Sequence, residues 1–110
     1  MVQFVHPSRD EITLAGVLAA LADPMRRRIV ELLAGEQLCT CHLVGELGAT
    51  QSNVSNHLRV LREAGLIASE QAGRNAYHRL VSDRIEQLSA ELADLASRSR
   101  LALAVKRPCG

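Results

Sequence analysis

Apolar residues recur every three or four positions along most of the chain, which is the spacing of amphipathic helices. Around Gly73 this spacing is replaced by two short polar stretches, which predict a pair of strands joined by a tight turn. The predicted helices cover about 9–21, 24–35, 39–47, 50–64 and 83–98 or beyond, and the predicted strands cover 66–72 and 75–80. The pattern therefore predicts a mainly α-helical protein with a small β-hairpin.

Residues typical of helix ends stand at several of these boundaries. Asp23 and Pro24 suit the N-cap and the first position of a helix, and Gly35 is placed to end it. Thr50 is the expected N-cap of the fourth helix, and Gly65 is its expected stop. The remaining predicted helix starts are a capping box over residues 8–11, Cys39 and Ser82.

The predicted fourth helix has one apolar and one polar face. At about 100° per residue, Val54, Leu58 and Leu61 fall on the same side, which we expect to be buried. The opposite side carries hydroxyl, amide and guanidinium groups, from Ser52, Ser55, Asn56, Arg59 and Arg62. Such groups pair with the base edges and phosphates of DNA, although a solvated helix face is the plainer alternative.

The neighbours of this helix favour the DNA-binding interpretation. A tight break at residues 48–50 separates it from the predicted third helix, and the hairpin follows it directly. Two short helices, a tight turn and a hairpin form the layout of a winged helix-turn-helix. Arg74 at the hairpin tip is then the best placed side chain for a phosphate or minor-groove contact.

Composition is compatible with a small DNA-binding domain but does not by itself indicate one. A chain of 110 residues suits one domain, residues 1–110, with a loose arm over 1–7 and a tail over 106–110. Aromatic residues make up only 2%, so the core must consist of Leu, Val, Ile and Ala. The net charge of +1 does not indicate nucleic-acid binding, so attraction to DNA must come from local clusters of arginine. The arginine run over 26–28 is either a solvated face or a source of one or two phosphate contacts beside the fourth helix.

Several classes of protein are disfavoured by what the chain lacks. No apolar run is long enough to span a bilayer, and residues 1–7 lack the features of a signal peptide, so we expect a cytoplasmic protein. In that reducing compartment the three cysteines are not expected to form disulfides; they are either packing residues or working thiols. The chain has no serine–histidine–acid set and no glycine-rich phosphate loop, so we do not predict an enzyme.

Three stretches resemble the ArsR/SmtB family of metal-responsive repressors. AALADPMRRRIVELL at 19–33 is similar to the second helix of that family, and SNVSNHLRVLREAGL at 52–66 is similar to its recognition helix. LCTCHL at 38–43 resembles the thiol motif of its arsenic-sensing members. The resemblance covers about residues 14–95, which is most of the chain.

This resemblance implies a homodimer of five-helix winged helix-turn-helix subunits, paired through the first and last helices, with the last covering 83–105. The heptad-spaced apolar seam of that last helix suits such pairing. The dimer is expected to repress from a two-fold-symmetric operator in double-stranded DNA and to leave it when a metalloid binds. The expected DNA contacts are Gln51, Ser52, Asn53, Ser55, Asn56, His57, Arg59, Arg62 and Arg74.

Cys39 and Cys41 are the expected effector ligands. On a regular helix they point about 200° apart, so they share one ion only if the first turn of the third helix is frayed or distorted. Soft thiolates favour trivalent arsenic or antimony, with Cd(II) or Pb(II) as the alternative. A distorted turn at this point would re-aim the recognition helix that follows.

The third ligand departs from the family pattern. Val44 stands where arsenic sensors often carry a third cysteine, and His42, more a surface residue than a ligand, replaces a frequent acid. Since trivalent arsenic prefers three sulfurs, we predict Cys109 of the tail as the third ligand, from the same or the partner subunit; an idle terminal thiol is the alternative. The family's zinc-type site on the last helix is not expected, because Asp83 is followed by Ile85 where a histidine is needed.

Some assignments stay open at this stage. His57 is expected to pack against the protein or contact a phosphate, and a role as a metal ligand is the less favoured alternative. Of Tyr77 and His78, one must point inward, and we expect it to be Tyr77. The rival functions are a thiol redox or persulfide sensor of the same fold and a winged-helix protein-interaction module that does not bind DNA.

Overall fold

The computed structural model describes residues 14–109, and within that range it has five helices and three short strands. In chain order they are α1 (Leu14–Ala22), α2 (Pro24–Gly35), β1 (Leu38–Cys39), α3 (Thr40–Leu47), α4 (Gln51–Glu63), β2 (Ile67–Ala72), β3 (Asn75–Leu80) and α5 (Ser82–Leu101). The succession of α3, α4 and the β2–β3 hairpin confirms the predicted winged helix-turn-helix. The predicted arm and the capping box over 8–11 lie outside the described residues. None of the described helices has both the length and the apolar character needed to cross a bilayer.

The helix ends follow local hydrogen-bond chemistry. Asp23 is the N-cap of α2 and accepts a hydrogen bond of 3.0 Å from the backbone N–H of Arg26, as its position before Pro24 predicted. Thr50 caps α4 in the same way through the N–H of Asn53, at 3.2 Å. Both predicted caps are therefore confirmed.

The boundaries predicted for the last helix are partly wrong. Ser82 is the first residue inside α5, and the N-cap position is taken by Val81, whose side chain makes no capping hydrogen bond. The helix ends at Leu101 instead of residue 105. The backbone N–H of Val81 donates to the carbonyl of Leu66 at 2.8 Å, which connects the start of α5 to the residue just before β2.

The core forms where the apolar faces of the helices meet behind the hairpin. Val54, Leu58 and Leu61 of α4 are at most 1% exposed, which confirms the predicted inward face of the recognition helix. They pack in one cluster with Ile29 of α2 and Leu43 of α3, both fully buried. Burying one such side chain contributes about 1.5–3 kcal/mol, so this cluster fixes the orientation of α4 against α3.

The hairpin is the main part of a three-stranded antiparallel sheet in the order β1-β3-β2. The two-residue strand β1 was not predicted; it pairs Leu38 with His78 and Cys39 with Tyr77. A strand of two residues has no periodicity from which it could be recognised. Because β1 pairs with β3, Cys39 belongs to the same sheet as the β2–β3 hairpin, which is the wing of the fold.

The turn between α3 and α4 depends on a glycine. Gly48 has φ +60°, a left-handed conformation that residues with a Cβ rarely adopt, and its N–H donates to the carbonyl of Val44 at 3.0 Å. This ends α3 within one residue and leaves only a short connection before Thr50. A rearrangement within α3 is therefore transmitted to the start of α4 over very few flexible bonds.

Candidate DNA-binding surface and thiol site

The outward face of α4 presents the polar side chains predicted from its periodicity. Every predicted contact on this helix is exposed except His57, which is half-buried; the exposed ones are Gln51, Ser52, Asn53, Ser55, Asn56, Arg59 and Arg62. Arg74 is exposed at the tip of the wing, between β2 and β3. The geometry thus forms one polar surface from the recognition helix to the wing, with groups that suit base edges and phosphates.

Two arginines of this surface have partners within the protein. The guanidinium of Arg59 lies 3.5 Å from the carboxylate of Glu63, one helical turn away and largely exposed. An exposed pair of this kind contributes little stability, so Arg59 can exchange its partner for a phosphate or a base at low cost. Arg62 Nη1 lies 3.5 Å from the hydroxyl of Ser69, which connects the end of α4 to strand β2.

Arg26 behaves differently from either alternative considered for the arginine run. Its side chain is half-buried, and Nε and Nη2 donate to the carbonyls of Ala20 and Ala19 at 2.7 and 3.2 Å. These carbonyls belong to the last turn of α1, where helix acceptors have no partner of their own. Arg26 therefore closes the end of α1 in this structure.

His57 lies against the same corner of the fold. Its Nδ1 is 3.4 Å from Arg26 Nη1 and 4.0 Å from the carboxylate of Asp23. The N–H of Arg26 and, more weakly, the charge of His57 lower the pKa of Asp23 below its ordinary 3.8. The ring packs against the protein and joins α4 to the start of α2, while its expected contact with DNA stays a prediction.

The two cysteines of the motif come together at the start of α3. Cys39 is 2% exposed and occupies the N-cap position, whereas Cys41 is exposed within the first turn. Their Cα atoms are 5.4 Å apart and the two sulfurs form a disulfide. The expectation that the cysteines form no disulfide is therefore wrong for this pair. The reason is that Cys39 is extended, at φ −84° and ψ 167°, so the helical separation of about 200° does not apply to it.

His42 completes a cluster of three donor side chains. Its Nδ1 accepts a hydrogen bond of 3.1 Å from the backbone N–H of Cys39 and lies 3.2 Å from the sulfur of that residue. The donor atoms of Cys39, Cys41 and His42 all lie within 4.8 Å of one another, and in the described residues this is the one such group of histidine, cysteine and acidic side chains. His42 was expected at the surface, and it is exposed there, with its ring edge-on to Tyr77 at 6.2 Å.

Cys109 is not part of this cluster within one chain. It is an exposed free cysteine beyond the end of α5. The prediction that it supplies a third sulfur therefore stays a prediction. Cys41 itself opens onto a cleft of about 440 Å³ that also touches Gln51 at the start of α4 and Arg74 at the wing tip. The exposed residue Cys41 and two expected DNA contacts thus border the same space.

The buried aromatic residue of the wing is His78 and not Tyr77. His78 is 2% exposed, while Tyr77 is only half-buried, so the predicted inward side chain was the wrong one of the two. The ring is held by two hydroxyls: Nε2 lies 2.9 Å from Thr40 Oγ1, and Nδ1 lies 2.7 Å from Ser69 Oγ. Burial, and then the positive charge of Arg62, lowers the pKa of His78 below its ordinary 6.5, so the ring is neutral at physiological pH.

Known proteins are similar to this chain in both sequence and fold. A profile described as "Bacterial regulatory protein, arsR family" matches residues 23–69, from the cap of α2 into β2. The HTH-type transcriptional regulator CmtR of Mycobacterium tuberculosis is 36% identical over 99 residues, which cover 90% of this chain and 80% of CmtR. The chain belongs to the ArsR/SmtB family.

Two further members of the family show the extent of the likeness. A transcriptional repressor SmtB homolog of Synechocystis is 38% identical over 81 residues, which cover 74% of this chain but only 61% of the homolog. An ArsR-like transcriptional regulator from Rhodococcus, whose structure has been solved, superposes with a TM-score of 0.76 at 26% identity, covering 83% of this chain and 86% of that one.

Membership in the ArsR/SmtB family makes the chain a transcriptional regulator with a DNA-binding helix-turn-helix. The relatives and structural neighbours are regulators and not enzymes, in agreement with the prediction from sequence. The matched region includes the thiol cluster as well as α4.

Proposed function

We propose that this chain represses transcription from an operator and leaves the DNA when Cys39 and Cys41 bind a soft metal or metalloid ion. Trivalent arsenic or antimony is the proposed effector, and Cd(II) or Pb(II) is the alternative. The observation that carries the proposal is the meeting of the two cysteine sulfurs at the start of α3, the helix that directly precedes the exposed polar face of α4.

The donor set fits an ion of this kind. Two donor atoms that bind one ion at about 2.3 Å lie at most ~4.6 Å apart, and the donor atoms of this cluster lie within 4.8 Å of one another. Once the disulfide is reduced, the two sulfurs therefore stay close enough to share an ion after they separate. Thiolates are soft ligands and favour soft acceptors over hard cations such as magnesium. The N-terminal position in α3 also favours the thiolate form, since the helix dipole stabilises negative charge there.

The third donor separates the two classes of effector. Trivalent arsenic forms three bonds to sulfur, and Cys109, from the same or the partner subunit, is the proposed source of the third. His42 offers a borderline nitrogen that suits Cd(II) better than arsenic. Its Nδ1, however, already accepts the N–H of Cys39, and a single lone pair cannot serve both partners. Coordination through that atom therefore requires the first turn of α3 to open.

Release from DNA follows from the placement of the thiols between wing and recognition helix. Cys39 is the last residue of β1 and the N-cap of α3. A change in its side-chain direction therefore displaces both the sheet and the start of the helix. Leu43, one turn further along α3, is fully buried in the same cluster as Leu58 of α4. Such a shift alters operator affinity only if the liganded shape fits DNA less well than the free one.

Homodimerisation is the second part of the proposal. Leu18 of α1 and Leu92 and Leu95 of α5 are 44 to 49% exposed, which is unusual for large apolar side chains on two neighbouring helices. Pairing of α1 and α5 with the same helices of a second copy would cover them and place two recognition helices on successive major grooves. This agrees with the heptad spacing of the last helix.

A thiol redox response is the second candidate function, and the Cys39–Cys41 disulfide is the observation that favours it. In this case the two thiols lose two protons and two electrons to an oxidant such as a peroxide or a polysulfide as the sulfur–sulfur bond forms. The same turn of α3 would then respond to redox state instead of to an ion.

Titration of the operator complex distinguishes these candidates. The reduced protein on its own promoter fragment is titrated with arsenite, with Cd(II) and, separately, with hydrogen peroxide, and DNA binding is followed by fluorescence anisotropy. The metalloid proposal is supported if arsenite releases the wild type from DNA while Cys39→Ser/Cys41→Ser binds DNA and is not released by arsenite. Release by peroxide alone supports the redox candidate. If arsenite still releases the double variant from DNA, Cys39 and Cys41 are not the effector site.

A further inference from the structure

A chain of polar contacts leads from the thiol motif to the recognition helix through the buried ring of His78. Thr40 stands between the two cysteines in the sequence, and its hydroxyl is 2.9 Å from Nε2 of His78. On the other side of the ring, Nδ1 is 2.7 Å from the hydroxyl of Ser69. Ser69 in turn lies 3.5 Å from the guanidinium of Arg62, near the end of α4. Three contacts thus connect the first turn of α3 with an arginine of the DNA-binding surface.

The ring at the centre of this chain can pass on a change from one side to the other. A neutral imidazole has one donor and one acceptor nitrogen, and each faces a single hydroxyl here. One arrangement that satisfies every group runs from the Arg62 N–H to the Ser69 oxygen, from the Ser69 O–H to Nδ1, and from Nε2–H to the Thr40 oxygen. Because His78 is only 2% exposed, water cannot easily replace a lost hydrogen-bond partner. Loss of the hydrogen bond at one ring nitrogen therefore changes the hydrogen bond at the other.

Thr40 is placed to be the first group that moves. The backbone on both of its sides carries a cysteine, so bringing both sulfurs onto one ligand must rotate the peptide units that hold its side chain. We infer that His78 is a positioning residue which couples the state of Cys39 and Cys41 to Arg62 through the hydroxyls of Thr40 and Ser69. This inference rests on the proposed function for its biological meaning, but the coupling itself is a property of the fold for any ligand of the two thiols.

The simpler alternative is that His78 is a satisfied buried histidine with a structural role only. The two alternatives differ in what the flanking hydroxyls do. A structural histidine needs partners for stability, whereas a coupling histidine needs them for the response at Arg62. Variants at Thr40 and Ser69 separate these roles with little risk to the fold, because Thr40 is only half-buried and Ser69 is exposed.

The experiment uses two matched pairs of variants in the full chain. Thr40→Val removes the hydroxyl at nearly constant shape, and Thr40→Ser keeps the hydroxyl. Ser69→Ala and Ser69→Thr form the same contrast on the other side of the ring. For each protein, NMR follows the His78 ring and the Arg62 guanidinium signals as Cys39 and Cys41 are switched between the dithiol, the disulfide and the arsenite-treated form. Operator affinity is measured in the same three states.

The expected result is that both signals shift in the wild type, in Thr40→Ser and in Ser69→Thr. In Thr40→Val and Ser69→Ala the Arg62 signal should no longer respond, and the ratio of operator affinities between the thiol states should fall by tenfold or more. Affinity in the dithiol state should change by less than threefold. The inference is overturned if Arg62 does not respond in the wild type, or if it responds equally in the variants lacking a hydroxyl. If arsenite has no effect on DNA binding but oxidation still moves Arg62, the proposed effector is wrong while the coupling stands.

Discussion

The backbone N–H of Cys39 donates a hydrogen bond to Nδ1 of His42, 3.1 Å away, so the first turn of α3 is closed by a residue of the thiol cluster itself. In the capping-box motif the side chain at this position is a glutamate or glutamine. Here the same atom is within reach of an ion held by the two cysteines. Closure of the helix and binding through His42 Nδ1 therefore exclude each other.

Replacement of His42 by alanine should weaken operator binding in the absence of any effector. Loss of a helix cap costs about 0.5–2 kcal/mol, and on the proposed function the first turn of α3 must be closed for the protein to bind its operator. We expect the operator affinity of reduced His42→Ala to fall by roughly 2- to 30-fold on that account. The matched control is His42→Glu, which restores a side chain able to accept the N–H of Cys39. Equal affinities for the alanine variant and the wild type would show that the cap plays no part.

Replacement of Asn56 by alanine should reduce sequence discrimination more than overall affinity. Asn56 is exposed on the outward face of α4, and an amide in contact with adenine contributes about 1–3 kcal/mol of discrimination. The affinities for the operator and for a scrambled duplex are compared at one salt concentration. Gln37→Ala, an exposed amide before β1, serves as the control and should leave both affinities unchanged. A uniform loss on both duplexes would assign Asn56 to the phosphates instead.

Replacement of Cys109 by serine tests the third ligand. If the tail cysteine binds, X-ray absorption of the arsenite complex should count three sulfurs in the wild type and two in Cys109→Ser. The arsenite affinity should fall by about tenfold or more, which corresponds to ~1.4 kcal/mol. Mixed dimers of Cys109→Ser with Cys39→Ser/Cys41→Ser chains then show whether the sulfur comes from the partner subunit. An unchanged sulfur count would leave Cys109 as an idle terminal thiol.

The lowered pKa of His78 makes stability depend on pH in a definite direction. Because the folded ring takes up a proton less readily than the unfolded one, the unfolded state binds more protons once the pH falls below about 6.5. The contribution of His78 is therefore complete above that pH and is lost as the pH falls toward the lowered pKa. Urea unfolding of the wild type and of His78→Gln between pH 7.5 and 5 should show a steeper loss in the wild type. Parallel curves would contradict the shift.

The sequence predicted those parts of the molecule that follow from periodicity and local capping. The buried face of α4, with Val54, Leu58 and Leu61, is confirmed because a helix of thirteen residues carries a clear 3.6-residue signal. Asp23 and Thr50 are confirmed as caps because capping depends on residues three positions away. The exposed polar face of the recognition helix follows from the same regularity.

What the sequence did not predict depends on contacts between residues far apart in the chain. Strand β1 exists only because β3 pairs with it, and that pairing turns His78 and not Tyr77 toward the interior. Arg26 was assigned by its charged neighbours, but its partners are the carbonyls at the end of α1. The approach of Cys39 to Cys41 was expected to need a frayed or distorted first turn, but the sequence did not predict that Cys39 would lie outside the helix as an extended cap residue paired with β3.

On the proposed function, an ion bound by the thiols of α3 and operator DNA bound by α4 each lower the affinity of the protein for the other. Binding linkage makes this claim quantitative, since an effector that weakens operator binding by some factor must itself bind the operator complex more weakly by that factor. The most direct measurement is therefore the arsenite affinity of the reduced wild-type protein, alone and saturated with operator DNA. We predict weaker arsenite binding on the operator by the same factor as the loss of DNA affinity. Equal arsenite affinity in the two states would contradict the account.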